Sequence, residues 1–187
     1  MRPQKVTNQN LIEGLMSVIQ SKGYNGSSLN DLANSTGLQK ASLYHRFPKG
    51  KKEITSAVLS FVEEWVDINI VELLSDKEQK PNERLKIVIE NIDNLYEGGE
   101  KICVLRALTM DNNLDLFGNQ LKKIMTNWII GFTNLGISFG QSEKEAKIKA
   151  EQTLILVQGS LIVSKAMSTL KPFQKSLLAI KNMYMSP

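Results

Sequence analysis

The stretch Ser28–Phe47, SLNDLANSTGLQKASLYHRF, decides the reading of this chain. Ser28 stands three residues before Asp31, a variant of the capping-box spacing in which a hydroxyl accepts from a first-turn amide and an acid reaches back to the cap. Leu29, Leu32 and Ala33 then give a short helix its inward face. Gly37 can take the left-handed conformation that ends such a helix. A second short helix follows over about Gln39–His45, anchored by Leu38, Leu43 and Phe47 and stopped by Pro48. That leaves Gln39, Lys40, Ser42 and Arg46 pointing outward. Two apolar-backed helices joined by a tight turn with a glycine form a helix-turn-helix, whose second helix fits the DNA major groove.

Outward from this segment every stretch reads helical, with no convincing period-2 alternation. Before it, Leu11, Leu15, Val18 and Ile19 form the stripe of a helix over about Thr7–Lys22, stopped by Gly23. After it, Ile54, Val58, Phe61, Trp65 and Ile68 recur at steps of four and three along a long helix, about Lys51–Leu74. Pro81 suits the start of the next helix, which runs to about Glu97. Further helices are expected over Lys101–Met110 and Leu116–Leu135, separated by a polar break at Asp111–Asp115 and followed by a turn at Gly136–Gly140. Ser142 and Glu145 make a full capping box for a helix reaching Met167. A last helix, beginning near Pro172, carries Phe173, Leu177, Ile180 and Tyr184. The expectation is an all-α fold of about nine helices, with a three-helix head at residues 1–50 and a helical body at 51–187.

Composition narrows the class. Of 187 residues, 42% are hydrophobic and 22% charged, which is a globular balance. Residues 1–52 carry eight basic side chains against two acidic ones, or +6, while the whole chain is only +4. A basic head on a nearly neutral body suits a head that meets phosphate and a body that meets something else. The one cysteine, Cys103, excludes an internal disulfide framework and fits a reducing cytosol. It reads as a small buried hydrophobe rather than a redox sensor. No signal-peptide pattern is visible at the start. The longest apolar run, Thr153–Ser164, is too short to span a bilayer. A cytoplasmic protein without membrane contact is expected, and that run is expected to be buried.

At finer grain, Gly23-Tyr24-Asn25-Gly26-Ser27-Ser28-Leu29-Asn30-Asp31-Leu32-Ala33 followed by Thr36-Gly37-Leu38-Gln39-Lys40-Ala41-Ser42-Leu43-Tyr44-His45-Arg46-Phe47 resembles the DNA-binding head of the tetracycline-repressor (TetR) family. Ala41 replaces the family's common small glycine, and Arg46 its common second histidine. The loop Phe47-Pro48-Lys49-Gly50-Lys51-Lys52-Glu53-Ile54 looks like a subgroup of multidrug-efflux regulators. The resemblance covers residues 8–60. It implies a homodimeric repressor joined through the last two helices, with a ligand cavity in the body. It also implies release from a palindromic duplex operator by an unidentified small effector. The near-uniform apolarity of Thr153–Val163, with small Gly159, Ser160 and Ala166, agrees with helices packed between subunits.

The DNA contacts expected from chemistry and motif position are these. Gln39 can pair with adenine, Lys40 with guanine or a phosphate, and Ala41 can touch a thymine methyl. Ser42, Tyr44, His45 and Arg46 are expected at phosphates or mixed contacts, with packing the alternative for Tyr44 and His45. Ser28, Lys51 and Lys52 are expected at phosphates near helix starts. For an apolar or aromatic effector, Trp65, Ile89, Ile92, Met110, Met125, Trp128 and Phe132 are candidate lining, with Arg106 a candidate for an anionic or phenolic group. Plain core packing is the alternative for each.

No enzyme is expected, and no catalytic residue, cofactor or metal. One histidine and one cysteine do not make an ordinary zinc site. No phosphate-loop, dinucleotide or nucleophile-elbow pattern occurs. A helical interaction module, or an enzyme without DNA specificity, is the competing reading.

Overall fold

The computed structural model describes residues 7–110 and 113–185, and no strand occurs among them. Arg2 and Lys5 of the basic head, and Asp111 and Asn112 of the polar break, lie outside the described residues. Among the described residues nine helices run α1 (Asn8–Gly26), α2 (Leu29–Thr36), α3 (Lys40–Arg46), α4, α5 (Pro81–Leu95), α6 (Val104–Met110), α7 (Leu114–Ser138), α8 (Glu143–Ala166) and α9 (Lys171–Met185). α4 is composite: α-helix over Lys51–Val66, π-helix over Asp67–Glu72, and α-helix again over Leu73–Ser75. A single 3-10 turn, Glu97–Gly99, follows α5.

The local signals act as the side chains demand. Both capping boxes form: Ser28 accepts from the Asp31 amide and Ser142 from the Glu145 amide, with each acid reaching back to its cap. Gly37 sits at φ 67°, left-handed, and its N–H closes the α2 carbonyls. Pro81 occupies the first turn of α5, where its missing N–H costs nothing.

Several expectations need correction. Gly23 does break the helical geometry of α1, at φ 69° and ψ −179°, but one more turn follows it, to Gly26. α6 starts at Val104, three residues later than expected. Gly136 lies inside α7 rather than in a turn. Its role is contact, since a Cβ there would fall 2.7 Å from Ala146 Cβ. The stripe of α4 also changes phase. Ile54 and Val58 are buried as expected, but Phe61 and Trp65 are half-buried and Ile68 is exposed. Burial passes to Val66, Ile70 and Leu74 instead. The shift is already present at Trp65 and Val66, and the π-helix over Asp67–Glu72 follows it. Within the single chain Thr153–Ser164 is partly buried: Ile155 is 69% exposed, and Ile162 and Val163 are also exposed.

The chain forms two compact units, one holding the residues up to Val62 with Val104–Leu121, the other Glu63–Cys103 with the residues from Lys122 onward. In the first, α1 packs on α2 and α6 around Leu11, Leu15, Ile19, Leu32 and Leu43. The Tyr24 and Phe117 rings meet edge to face at 5.1 Å. In the second, α8 packs along α9. Ser160 and Ser176 hydroxyls pair at 2.9 Å between them, and the Ser164 hydroxyl accepts from the Phe173 amide. Trp128 and Phe132 stack, and Phe132 meets Tyr184. Burial pushes the Tyr184 hydroxyl up to about 12 against a weaker opposing bond from Thr153. Cys103 is buried, and its sulfur accepts from the Tyr96 hydroxyl.

Candidate nucleic-acid interface

α3 is seven residues long, too short to hold its shape unaided, since isolated helices under about 12 residues are marginal in water. It is held by one fully buried side chain, Leu43, with Phe47 half-buried just beyond its end. Everything else on it faces out: Gln39, Lys40, Ala41, Ser42, Tyr44, His45 and Arg46 are all exposed. Gln39 is the N-cap residue but makes no side-chain capping bond, so its amide group is not engaged with the helix end. The seven candidates at positions 39–42 and 44–46 therefore share one solvent-facing helix, with hydrogen-bond donors at six of them. Packing, the alternative for Tyr44 and His45, does not bury either side chain.

Local contacts set the scaffold around α3. Asp31 accepts from Ser28 N at 2.9 Å and from the Ser28 hydroxyl at 2.6 Å, and pairs with Lys22 of α1 at 2.6 Å. The Lys22 ammonium foremost, then the Ser28 donors, hold the Asp31 carboxyl well below the usual range. This Lys22–Asp31 tie between α1 and α2 was not anticipated from the sequence, where nine residues separate the two. It also bears on Ser28. The single hydroxyl proton of Ser28 is committed to Asp31, so a phosphate would have to compete for it.

Lys51 and Lys52 are unlike one another. The Lys51 ammonium donates to the carbonyls of Tyr24 and Ser27, at 2.7 and 3.0 Å, and lies 4.4 Å from the centre of the Tyr24 ring. Two of its three protons are thereby used in fastening α4 to the end of α1. Lys52 is exposed.

The effector candidates divide. Trp65, Ile89, Ile92, Met125, Trp128 and Phe132 fall in the second unit, whereas Arg106 and Met110 fall in the first. Trp65, Ile89, Met125 and Arg106 are half-buried, Ile92, Trp128 and Phe132 are buried, and Met110 is 79% exposed. Two clefts of the second unit are lined by other residues. One, about 460 Å³, runs past Phe139, Gln141, Lys149 and Tyr184. The other, about 430 Å³, runs past Gly99, Ser164 and Thr169. No grouping of three or more His, Cys, Asp or Glu among the described residues could hold a metal. No described helix is long and apolar enough to cross a membrane.

Residues 11–58 match the family profile of bacterial regulatory proteins, tetR family. An HTH-type transcriptional regulator of Bacillus subtilis, YxaF, is 22% identical over 151 residues, covering 79% of this chain and 78% of that protein. An HTH-type regulator from the lacX 3' region of Lactococcus lactis is 24% identical, covering 95% and 93%. The solved structure of a TetR transcriptional regulator from Legionella pneumophila superposes with a TM-score of 0.84 at 20% identity, covering 98% of this chain and all of the other. The matched segment contains the helix-turn-helix, and the likeness of fold covers 98% of the chain. The head is thus similar to that of the tetR-family regulatory proteins, and the fold is similar to that of the solved TetR regulator.

Proposed function

We propose that this chain is a ligand-responsive repressor. As a homodimer it holds a palindromic duplex operator, and a small apolar or aromatic molecule releases it. The observation that carries the DNA reading is the exposed face of α3, where one buried leucine leaves seven consecutive or near-consecutive side chains free for a groove. On that face Gln39, Lys40 and Ala41 read bases, and Ser42, Tyr44, His45 and Arg46 hold phosphates or mixed contacts. Lys52 adds a phosphate at the start of α4. Lys51 and Ser28 contribute by holding the scaffold and reach phosphate with their remaining capacity. The reading function resides in residues 1–50, and residues 51–187 bind the effector and the second subunit.

The dimer is proposed through α8 and α9. Ile148, Ile155 and Ile162 are exposed on α8 at seven-residue spacing, and Leu178 and Met185 on α9 likewise. A seven-residue apolar repeat is the seam of a helix-helix interface. Gly159 lies between Ile155 and Ile162, and a Cβ there would meet nothing within 4 Å of its own chain, so a partner helix can approach.

The effector site is proposed among α4, α5 and α7 of the second unit, where Trp65, Ile89 and Met125 are half-buried and Ile92, Trp128 and Phe132 are buried. Arg106 and Met110 belong to the first unit. The efflux-regulator subgroup rests on the Phe47–Ile54 loop alone. A ligand releases DNA only by binding the non-operator conformation more tightly.

The test is selection of bound duplexes from a random pool, followed by release assays with small apolar and aromatic compounds. Two half-sites about one helical turn apart or slightly more are expected. Full affinity for one isolated half-site contradicts the dimer, and recovery of no preferred duplex contradicts the reading.

A further inference from the structure

Arg84 stands where the pattern of α5 calls for an apolar side chain. With Val88 and Ile92 it recurs at steps of four along one face of the helix, and all three are buried. Arg84 is 3% exposed. A guanidinium stays charged in proteins and carries five N–H donors. Its Nη1 donates to the Leu74 carbonyl near the end of α4. Its Nε is buried and has no acceptor. The acids nearest in sequence, Glu72, Asp76, Glu78 and Glu83, form no ion pair with it, and neither does any other described residue.

A buried cation without a counter-charge loses hydration that one carbonyl does not return. The end of α4 supplies the negative pole of a helix dipole, about half an elementary charge. The start of α5, at Pro81, presents a pole of the opposite sign beside the same side chain. The guanidinium, its orphaned Nε and that helix start therefore share one requirement, an anion. Leu74, Leu85, Val88 and Ile92 are all buried. Such surroundings favour an anion that carries an apolar body over a fully hydrated one such as phosphate.

We propose that Arg84 is the anion-binding residue of the effector site, and that the effector is a carboxylate with an apolar body. This deepens the effector reading above and rests on it only for the release of DNA. The carboxylate accepts from Nε and a second guanidinium N–H, the paired geometry that the planar fork of arginine offers. The body lies along α5 toward Val88 and Ile92, the latter about 12 Å further along the helix.

Isothermal titration calorimetry on the full chain without DNA reads the binding of hexanoate, octanoate, decanoate and benzoate, each beside its uncharged amide. At least one carboxylate is expected to bind, roughly ten- to a hundredfold more tightly than its amide, as a hydrogen-bonded charge requires. Arg84→Met removes the guanidinium and keeps an unbranched apolar chain. It is expected to lose that preference and, without ligand, to melt at or above the wild-type temperature, because an apolar side chain in place of an uncompensated buried charge is neutral or stabilising. Arg84→Lys keeps the charge without the fork and is expected to bind the carboxylate more weakly than wild type. If no carboxylate binds, if the amides bind as tightly, or if Arg84→Met keeps the preference, the anion site is overturned. Arg84→Met melting well below wild type would make the residue a structural cap of α4 and overturn it as well. None of these measurements uses DNA, so a protein that selects no duplex overturns the regulator reading and leaves the carboxylate site standing.

Discussion

Leu43→Ala tests how the recognition helix is held. Leu43 is 1% exposed and is the buried anchor of a seven-residue helix. A buried Leu→Ala change costs about 2–5 kcal/mol, the spread reflecting how far the site can collapse. Collapse is limited here because α3 is about two turns of helix between Gln39, its cap, and Phe47, whose amide bonds back to the Leu43 carbonyl. The loss therefore falls on the docking of α3 itself. If 1.4–2.8 kcal/mol of it appears as undocked helix in the free protein, apparent operator affinity drops about ten- to a hundredfold, since each 1.4 kcal/mol is a factor of ten. Anisotropy titration on a selected duplex reads the affinity, and hydrogen exchange at the Leu43 and Phe47 amides reads the docking. Leu85→Ala, at an equally buried position of the second unit, is the control: it lowers stability comparably without speeding exchange in α3. A Leu43→Ala protein with wild-type affinity and wild-type protection of α3 would refute the reasoning.

Other outcomes follow from the same contacts. Gly136→Ala should lower the melting temperature by roughly 3–10 °C, because overpacking costs about 1–3 kcal/mol and outweighs the helix propensity gained; a rise would mean that α7 and α8 part easily at Ala146. Asp31 has a depressed folded pKa, so its contribution is complete above the ordinary carboxylate value of about 4 and is lost as pH falls below it. Asp31→Asn should therefore flatten the stability of the head between pH 4 and pH 2, read by circular dichroism, and a slope identical to wild type would remove Asp31 from that role. Ile155→Glu places a charge on the most exposed apolar position of α8 and should convert the dimer to monomer in sedimentation at micromolar concentration; an unchanged mass would move the interface elsewhere.

The parts of this fold that were legible in sequence are those whose cause is local. Ser28 with Asp31, Ser142 with Glu145, Gly37 and Pro81 each act within four residues of their own position, and each does what its chemistry requires. The outward face of α3 was legible for a related reason: Leu43 is its one large aliphatic side chain, and it alone on the helix is buried. What escaped depends on partners distant in the chain. Asn91 bonds the Asn69 carbonyl of the π turn and Gly131 lies close against Ile70 and Val71, and the helical periodicity of Ile54–Ile68 gave no sign that burial passes to Val66, Ile70 and Leu74. Lys51 looked like a phosphate ligand at a helix start, yet the carbonyls of Tyr24 and Ser27 draw its ammonium inward. Gly136 read as a turn because glycine often ends helices, whereas here it admits Ala146. The effector candidates were the least legible, because apolar residues at helical spacing look the same whether they line a cavity or fill a core.

The central claim is that the exposed face of α3 reads DNA, and its most direct test is an anisotropy titration over a series of salt concentrations. It compares wild type, Gln39→Ala and Lys40→Ala on the selected duplex and on a scrambled one. Loss of a base contact is worth about 1–3 kcal/mol, so Gln39→Ala should lose roughly five- to a hundredfold on the selected duplex and little on the scrambled one. Lys40→Ala should weaken binding too, either in the same selective way or equally on both duplexes with a shallower salt slope, according to whether it meets a base or a phosphate. If both variants keep wild-type affinity, selectivity and salt slope, α3 is not the reading head.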